Sequence, residues 1–335
     1  MIKEAIKMLV EGNSLTMAQA EEVMQEIMNG AATPAQFGAF VTALRLKGES
    51  VDEIIGMVKT MRAKAVPVKI EEPLVDTCGT GGDAAGTFNI STAAAFIAAA
   101  AGLKVAKHGN RAMSSQCGSA DVLEALGVKI DCDAEGVKRC IQEVGIGFMF
   151  ALVFHPAMKY AAPPRREIGI RTVFNILGPL TNPAGAEAQI IGVADGKMAA
   201  KITQALKGLG CRHGLVVNSE SGMDEITISG RSLIYEVKDG RIESYHISPA
   251  DFGLAEHSLE SIKGGSVAEN ATILRDILAG EKGPRRDVVL MNAAAALVVG
   301  SKAENLVEGF KIAGEEIDSG RALAKLEQLI VFNQV

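Results

Sequence analysis

The sequence predicts an α/β protein: a small N-terminal helical domain, then a larger domain with a mostly parallel sheet flanked by helices. Three observations predict it. The chain has 335 residues, more than one small core needs, which points to two domains. Up to roughly residue 65, apolar positions recur only at helical spacing. From Leu74 onward, short apolar runs alternate with helical patterns, the rhythm of strand–helix–strand units.

Three caps mark the helical start. Thr16 is followed by Gln19, Thr33 by Pro34 and Gln36, and Ser50 by Glu53. In each, a hydroxyl can accept from the third helical N–H while the Gln or Glu reaches back to the cap. Pro34 falls where a helix needs no N–H donor. Val23 and Ile27, then Phe37, Phe40, Val41 and Leu44, then Ile54, Ile55, Val58 and Met61 supply the buried faces. Four short helices are expected.

The pattern changes after Pro67. Strands are expected over 74–78, 103–106, 128–132, 146–150, 189–193 and 214–218, with an Ala-rich helix after the first. Further helices are expected over 120–126, capped by Ser119, and over 134–144 and 197–209. Segments 232–237 and 241–246 flank Lys238-Asp239-Gly240, a hairpin signal. The chain reads as helical again from Ser266. Residues 155–183 break the rhythm, with Pro156, Pro163, Pro164, Pro179 and Pro183 around Arg165, Arg166 and Arg171. This stretch reads as a crossing between domains, a usual place for ligand sites.

Composition narrows the function classes. Hydrophobic residues make up 48% and charged residues 22%, which is an ordinary folded composition and argues against disorder. The net charge of −6 argues against a nucleic-acid partner, whose phosphates call for a basic face. The cysteines, Cys78, Cys117, Cys132, Cys140 and Cys211, are odd in number and lack C-x-x-C spacing, so reduced thiols in a cytoplasmic protein are expected. No basic stretch precedes an apolar one at the N-terminus, so no secretory signal is expected. The apolar run 92–101 is too short to span a membrane, and no membrane partner is expected.

The strongest chemical signal is Asp76-Thr77-Cys78-Gly79-Thr80-Gly81-Gly82-Asp83, which follows a predicted strand and precedes Asn89-Ile90-Ser91-Thr92 at a helix start. Glycines let backbone N–H groups turn toward a ligand, and a helix N-terminus adds unpaired N–H groups. Together they make an anion site, with phosphate as its occupant. A tight strand–helix turn would also use glycine, but three glycines in four residues before a polar helix start favour phosphate. The loop is neither a Walker A sequence nor G-x-G-x-x-G, because Asp83 follows Gly82 and Ala84 stands where the third glycine would be.

Lys107, His108, Gly109, Asn110 and Arg111, then Ala112, Met113, Ser114, Ser115 and Ser119, form a second polar loop. It follows the next strand, and successive parallel strands open on one sheet edge. Its charges suit the anion expected next door. Asp224-Glu225, after the strand 214–218, is a third candidate. A solvated loop often carries such a pair, but hard Mg²⁺ also takes carboxylates and bridges them to phosphate. A guanidinium from Arg165, Arg166 or Arg171 could grip a substrate carboxylate two-pronged. Residue chemistry alone does not choose among them. Histidines His108, His155, His213, His246 and His257 show no metal spacing, and no G-x-S-x-G elbow is present.

At these positions the sequence resembles the anthranilate phosphoribosyltransferases. The matching segments are Gly79-Thr-Gly-Gly-Asp83, Asn89-Ile-Ser-Thr92, Lys107-His-Gly-Asn110, Gly118-Ser-Ala-Asp121, Asp224-Glu225 and the run from Arg171 to Pro183, Arg171-Thr-Val-Phe-Asn-Ile-Leu-Gly-Pro-Leu-Thr-Asn-Pro183. They fall in order along nearly the whole chain. The resemblance implies transfer of the phosphoribosyl group from 5-phosphoribosyl 1-pyrophosphate to anthranilate, in tryptophan biosynthesis. It implies a small domain of residues 1–68 plus about 162–182, a large domain of 69–161 and 183–335, and a homodimer formed through the helical domains. Phosphoribosyl pyrophosphate is then expected at Gly79, Gly82, Asp83, Thr87, Asn89, Ile90, Ser91, Thr92, the run from Lys107 to Ser115, and Ser119. Anthranilate is expected at Gly79, Asn110 and Arg165, and two Mg²⁺ ions at Ser91, Asp224 and Glu225. No residue is implied as a clear acid or base. A pyrimidine nucleoside phosphorylase, which resembles the same fold, and a nucleic-acid-binding relative are the rival readings; the second lacks the basic charge it would need.

Overall fold

The computed structural model describes residues 1–112 and 116–332. The N-terminal helices are α1 (Ile2–Val10), α2 (Met17–Met28), α3 (Pro34–Lys47) and α4 (Val51–Lys64). All three expected capping boxes form, with Gln19, Gln36 and Glu53 amides donating to Thr16, Thr33 and Ser50 at 3.2–3.3 Å. Each such cap stabilises its helix by about 1 kcal/mol.

The larger part begins with β1 (Leu74–Gly79), α5 (Ile90–Ala100), β2 (Lys104–Gly109), α6 (Ser119–Ala125), α7 (Ala134–Arg139) and β3 (Ile146–Phe150). The crossing follows, with α8 (Ala151–Phe154), α9 (Ala162–Ile168) and α10 (Phe174–Leu180). The chain re-enters the sheet through β4 (Ala188–Gly192), α11 (Gly196–Gly208), β5 (His213–Ser219), β6 (Ser232–Lys238) and β7 (Arg241–Ile247). Helices α12 (Val267–Leu278), α13 (Pro284–Val299), α14 (Leu306–Asp318) and α15 (Arg321–Phe332) complete it.

The strands form one sheet in the order β3-β2-β1-β4-β5-β6-β7. The first five run parallel, and β6 and β7 are antiparallel additions. Lys238 pairs with Arg241 across Asp239 (φ 48) and Gly240 (φ 76), the left-handed pair that a two-residue hairpin turn requires. The strand order reverses between β1 and β4. At such a reversal the connections leave in opposite directions and a crevice opens beyond the strand ends.

Residue alternation divides the core. Ile190, Leu215 and Val217 face one cluster, with Phe96 and Ile97 of α5 and Leu297 of α13. Ile191 and Val216 face the other, with α11 and the N-terminal helices. Helix α5 is buried at Ile90 and on every residue from Thr92 to Ala99, as its Ala-rich sequence predicts, so it fills the space beneath the sheet rather than edging it. Phe37 of α3 lies 5.4 Å from the Phe174 ring of α10, joining the helical start to the crossing.

Three expectations need correction. Residues 128–132 form no strand. Val128 and Ile130 are buried and their neighbours exposed, so the alternation reports one buried face of an extended segment without a partner strand. Ser119 does not cap α6. Gly118 is the N-cap, and the Asp121 carboxylate accepts from its N–H at 2.9 Å, so α6 starts and ends one residue earlier than expected. The helix over 134–144 changes at Cys140 into a π-helical turn ending at Gly145 (φ 99). The proline-punctuated crossing holds helices: Pro163 and Pro164 lie in the first turn of α9, where proline is tolerated, and Pro179 in the last turn of α10.

Candidate active site

The glycine loop leaves the end of β1 at the strand-order reversal. Gly79 pairs with Gly192 of β4, so two glycines stand side by side there. The reason is Asp224. A Cβ on Gly79 would overlap the Asp224 carboxylate, and a Cβ on Gly192 would overlap its main-chain carbonyl. The loop after β5 can therefore lie directly across the ends of β1 and β4. Gly81 (φ 65) and Gly82 (φ 70) turn the chain in the left-handed region that glycine adopts without cost. The Gly81 N–H donates to Asp224 Oδ2 at 2.7 Å, and the Thr80 N–H donates to the Gly192 carbonyl at 2.9 Å.

Asp83, Asp224 and Glu225 gather at this edge. Desolvation raises Asp224 to about 6, and the nearby Asp83 charge adds to it. Glu225 is pushed well above its ordinary value by desolvation and then by Asp224, while Lys107 and the Ser91 N–H act the other way. The donors at hand, the Ser91 hydroxyl included, are the hard oxygens that Mg²⁺ prefers. Among the described residues no group of three or more His, Cys, Asp or Glu side chains is placed to hold a metal ion. Mg²⁺ asks for few protein donors, since it keeps waters and takes phosphate oxygens.

Helix α5 aims its N-terminus at the same crevice. Asn89 is the N-cap, but its side chain caps nothing and donates to the Cys117 carbonyl at 3.1 Å. Thr80 Oγ1, Asn89 Oδ1 and Thr92 Oγ1 are buried without a partner, polar atoms waiting at the glycine loop and the helix start. Thr87 bridges to Lys263, which fixes the loop's far end.

The second polar segment divides in two. Lys107 and His108 lie inside β2 and are buried. Lys107 Nζ donates to the Thr77 carbonyl at 2.5 Å and lies 3.4 Å from Ser91 Oγ, so its charge sits beneath the acidic cluster. Burial lowers its pKa while Asp76 holds it up. Asn110, Arg111 and Ala112 lie beyond the strand. Arg111 pairs with Asp121 at 3.0 Å and Glu124 at 2.7 Å, which raise its pKa and occupy its guanidinium. Gly109 passes Ser119 where a Cβ would meet the hydroxyl, and Ser119 Oγ donates to the Asn110 carbonyl at 3.4 Å. Met113, Ser114 and Ser115 lie outside the described residues.

Two histidines meet with their rings tilted by 53°. His108 and His155 ring centroids are 5.0 Å apart. Desolvation, and for His108 the His155 ring, holds His108 at about 3 and His155 at about 4. Imidazoles that weak are poor general bases at neutral pH. Arg165 lies on α9 over the Phe174 ring at 5.1 Å, with no ion pair among the described residues. It is thus free to meet a carboxylate.

Sequence reasoning missed three positions. Asp76, fully buried, accepts from the His108 N–H at 3.3 Å and from Asn182 Nδ2 at 2.8 Å, tying the end of the crossing to β1 and β2. Asp76 and Asn182 both stand in segments already singled out, yet nothing in sequence pairs them across 106 residues. Gly192 lies inside the expected strand 189–193, and only the close approach of Asp224 reveals why it is glycine.

Relatives agree with this geometry over the whole chain. The helical bundle domain of the glycosyl transferase family matches residues 3–65, and its a/b domain matches 71–323. Anthranilate phosphoribosyltransferase of Dehalococcoides mccartyi is 59% identical over 336 aligned positions, covering 100% of this chain and 98% of the relative. That of Chloroflexus aggregans is 58% identical, covering 99% and 98%. The chain belongs to the anthranilate phosphoribosyltransferase family. Among solved anthranilate phosphoribosyltransferases, that of Thermus thermophilus matches with a TM-score of 0.94 and 45% identity over 99% of both chains. The Saccharomyces cerevisiae enzyme in complex with PRPP and Mg matches at 0.91 and 28%, covering 99% of this chain and 98% of that one. The same yeast enzyme with 4-fluoroanthranilate matches at 0.89 and 26%, with the same coverage.

Proposed function

We propose that the chain transfers the phosphoribosyl group from 5-phosphoribosyl 1-pyrophosphate to anthranilate, giving N-(5-phosphoribosyl)anthranilate and pyrophosphate for tryptophan biosynthesis. One observation carries the reading: the glycine loop, the α5 N-terminus and the Asp224-Glu225 pair, far apart in sequence, meet at the strand-order reversal. That is an anion site beside a cation site, as a magnesium diphosphate needs.

In this reading Gly79, Gly82, Asp83, Thr87, residues 89–92, residues 107–115 and Ser119 hold the donor. Asp224, Glu225 and Ser91 hold magnesium, two ions per site. When bound, magnesium would screen the charge that develops on the departing diphosphate. The chain's residues do the rest. Loop and helix N–H groups bind the leaving oxygens. Asn110 and Arg165 orient anthranilate, whose amine is neutral at pH 7 and needs aiming rather than deprotonation. The attacked ribose carbon becomes oxocarbenium-like, as in other glycosyl transfers. The weak His108–His155 pair is consistent with a reaction that needs no general base.

The small domain comprises residues 1–68 with about 162–182, so Arg165 approaches the donor from a separate body. The active species is a cytoplasmic homodimer. No helix of the described residues is long and apolar enough to cross a membrane. Anthranilate fluorescence tests the reaction. Decay that requires protein, phosphoribosyl pyrophosphate and Mg²⁺, with pyrophosphate released, is expected. A flat trace from folded protein would overturn it, and phosphate-dependent cleavage of a pyrimidine nucleoside would then establish the phosphorylase.

A further inference from the structure

Arg171 joins the crossing to the glycine loop. It lies on the crossing between α9 and α10, six positions beyond Arg165 in sequence and exposed. Its Nη1 donates to the Gly82 carbonyl at 2.6 Å, across 89 residues of chain. Gly82 adopts φ 70, and a Cβ there would meet the same guanidinium nitrogen, so glycine is what lets the arginine close on the loop. No acidic side chain pairs with Arg171 among the described residues.

The consequence follows from peptide geometry. The 82–83 peptide is trans, and in a trans peptide the C=O and the next N–H point in opposite directions. A Gly82 carbonyl held by Arg171 therefore turns the Asp83 N–H to the side away from the guanidinium. Among the described residues the N–H groups of Gly82 and Asp83 have no protein partner, whereas those of Thr80 and Gly81 do. Unpartnered, oriented amides are what an anion-binding loop offers a phosphate.

We propose that Arg171 is a positioning residue for the donor's diphosphate: by holding the Gly82 carbonyl, it aims the Asp83 amide at the leaving group. The inference rests on the transferase reading. It also links the loop that binds the donor to the segment that carries Arg165, so both substrates are aligned by one stretch of chain.

The test is calorimetric binding of phosphoribosyl pyrophosphate with Mg²⁺ to the whole protein, together with both Michaelis constants. Arg171→Ala should weaken donor binding and raise its KM about tenfold, the size of one lost charge-assisted hydrogen bond. The anthranilate KM should change less than about twofold if only the loop is disturbed. Arg171→Lys, which keeps a donor of similar reach, should recover part of the loss. A positioning role also predicts parallel salt dependence of donor affinity in wild type and Arg171→Ala. A steeper dependence in wild type would show a direct ion pair with the diphosphate and overturn the proposal, as would unchanged donor affinity in Arg171→Ala. Donor binding by wild type without turnover would refute the reaction, yet the same affinities would still decide the role of Arg171. Wild type that does not bind the donor would refute both.

Discussion

Asp224 holds the glycine loop by one of its own amides: its Oδ2 accepts from the Gly81 N–H at 2.7 Å. In the proposed function this acid and Glu225 hold magnesium beside the loop. Replacing Asp224 with Asn and Glu225 with Gln should therefore lower kcat/KM by roughly a hundredfold or more, on the scale of losing a charge-stabilising group. The Mg²⁺ concentration for half-maximal rate should rise with it. An unaltered Mg²⁺ titration would remove both acids from the metal site.

Gly192 should tolerate no side chain. A methyl there overlaps the Asp224 backbone carbonyl, and main chain cannot swing aside as a side chain can. Gly192→Ala is expected to cost about 1–3 kcal/mol of stability, as overpacking does, and to displace the acidic loop. Activity should fall even where the protein remains folded. Full activity with an unshifted melting temperature would mean that the loop does not depend on this contact.

Arg165→Ala should act on the acceptor. Its guanidinium lies over Phe174 and is partly desolvated by burial, which strengthens its hold on a carboxylate. The anthranilate KM should rise about tenfold or more with the donor KM little changed, as expected when uniform binding is lost. A rise in the donor KM instead would move this arginine to the other substrate.

Acid should destabilise the fold through the histidine pair. His108 and His155 are held at about 3 and about 4, below the value of about 6.5 for a free imidazole. Between those limits the unfolded chain binds more protons than the folded one, so stability falls as pH drops from about 6.5 toward 4. Each ring contributes up to about 1.4 kcal/mol per pH unit in that window. The double substitution of His108 and His155 by Gln should flatten the melting temperature against pH there. A curve as steep as wild type would place the acid sensitivity elsewhere.

Local chemistry makes much of this readable. The three caps, the glycine turn and the hairpin act through neighbours in sequence, and Thr16, Thr33, Ser50 and Asp239-Gly240 behave as their types dictate. Most strands are legible to within two or three residues, because apolar runs bounded by glycine mark them. Residues 128–132 mislead because burial of one face is not strand pairing. Lys107 reads as a loop cation yet lies within β2, since three-dimensional depth has no sequence signal. The Asp76–Asn182 hydrogen bond and the Gly79–Gly192 pair are products of strand order, and only the assembled sheet brings them together.

The two borders of the sheet differ. Strand β3 is buried at every position, while β7 is exposed over most of its length and carries Arg241, Glu243 and His246. An open strand border invites another chain to zip onto it, and charged side chains discourage that. The antiparallel hairpin thus acts as a terminator: it places this border two strands beyond β5, and its charges disfavour edge-to-edge pairing with another copy.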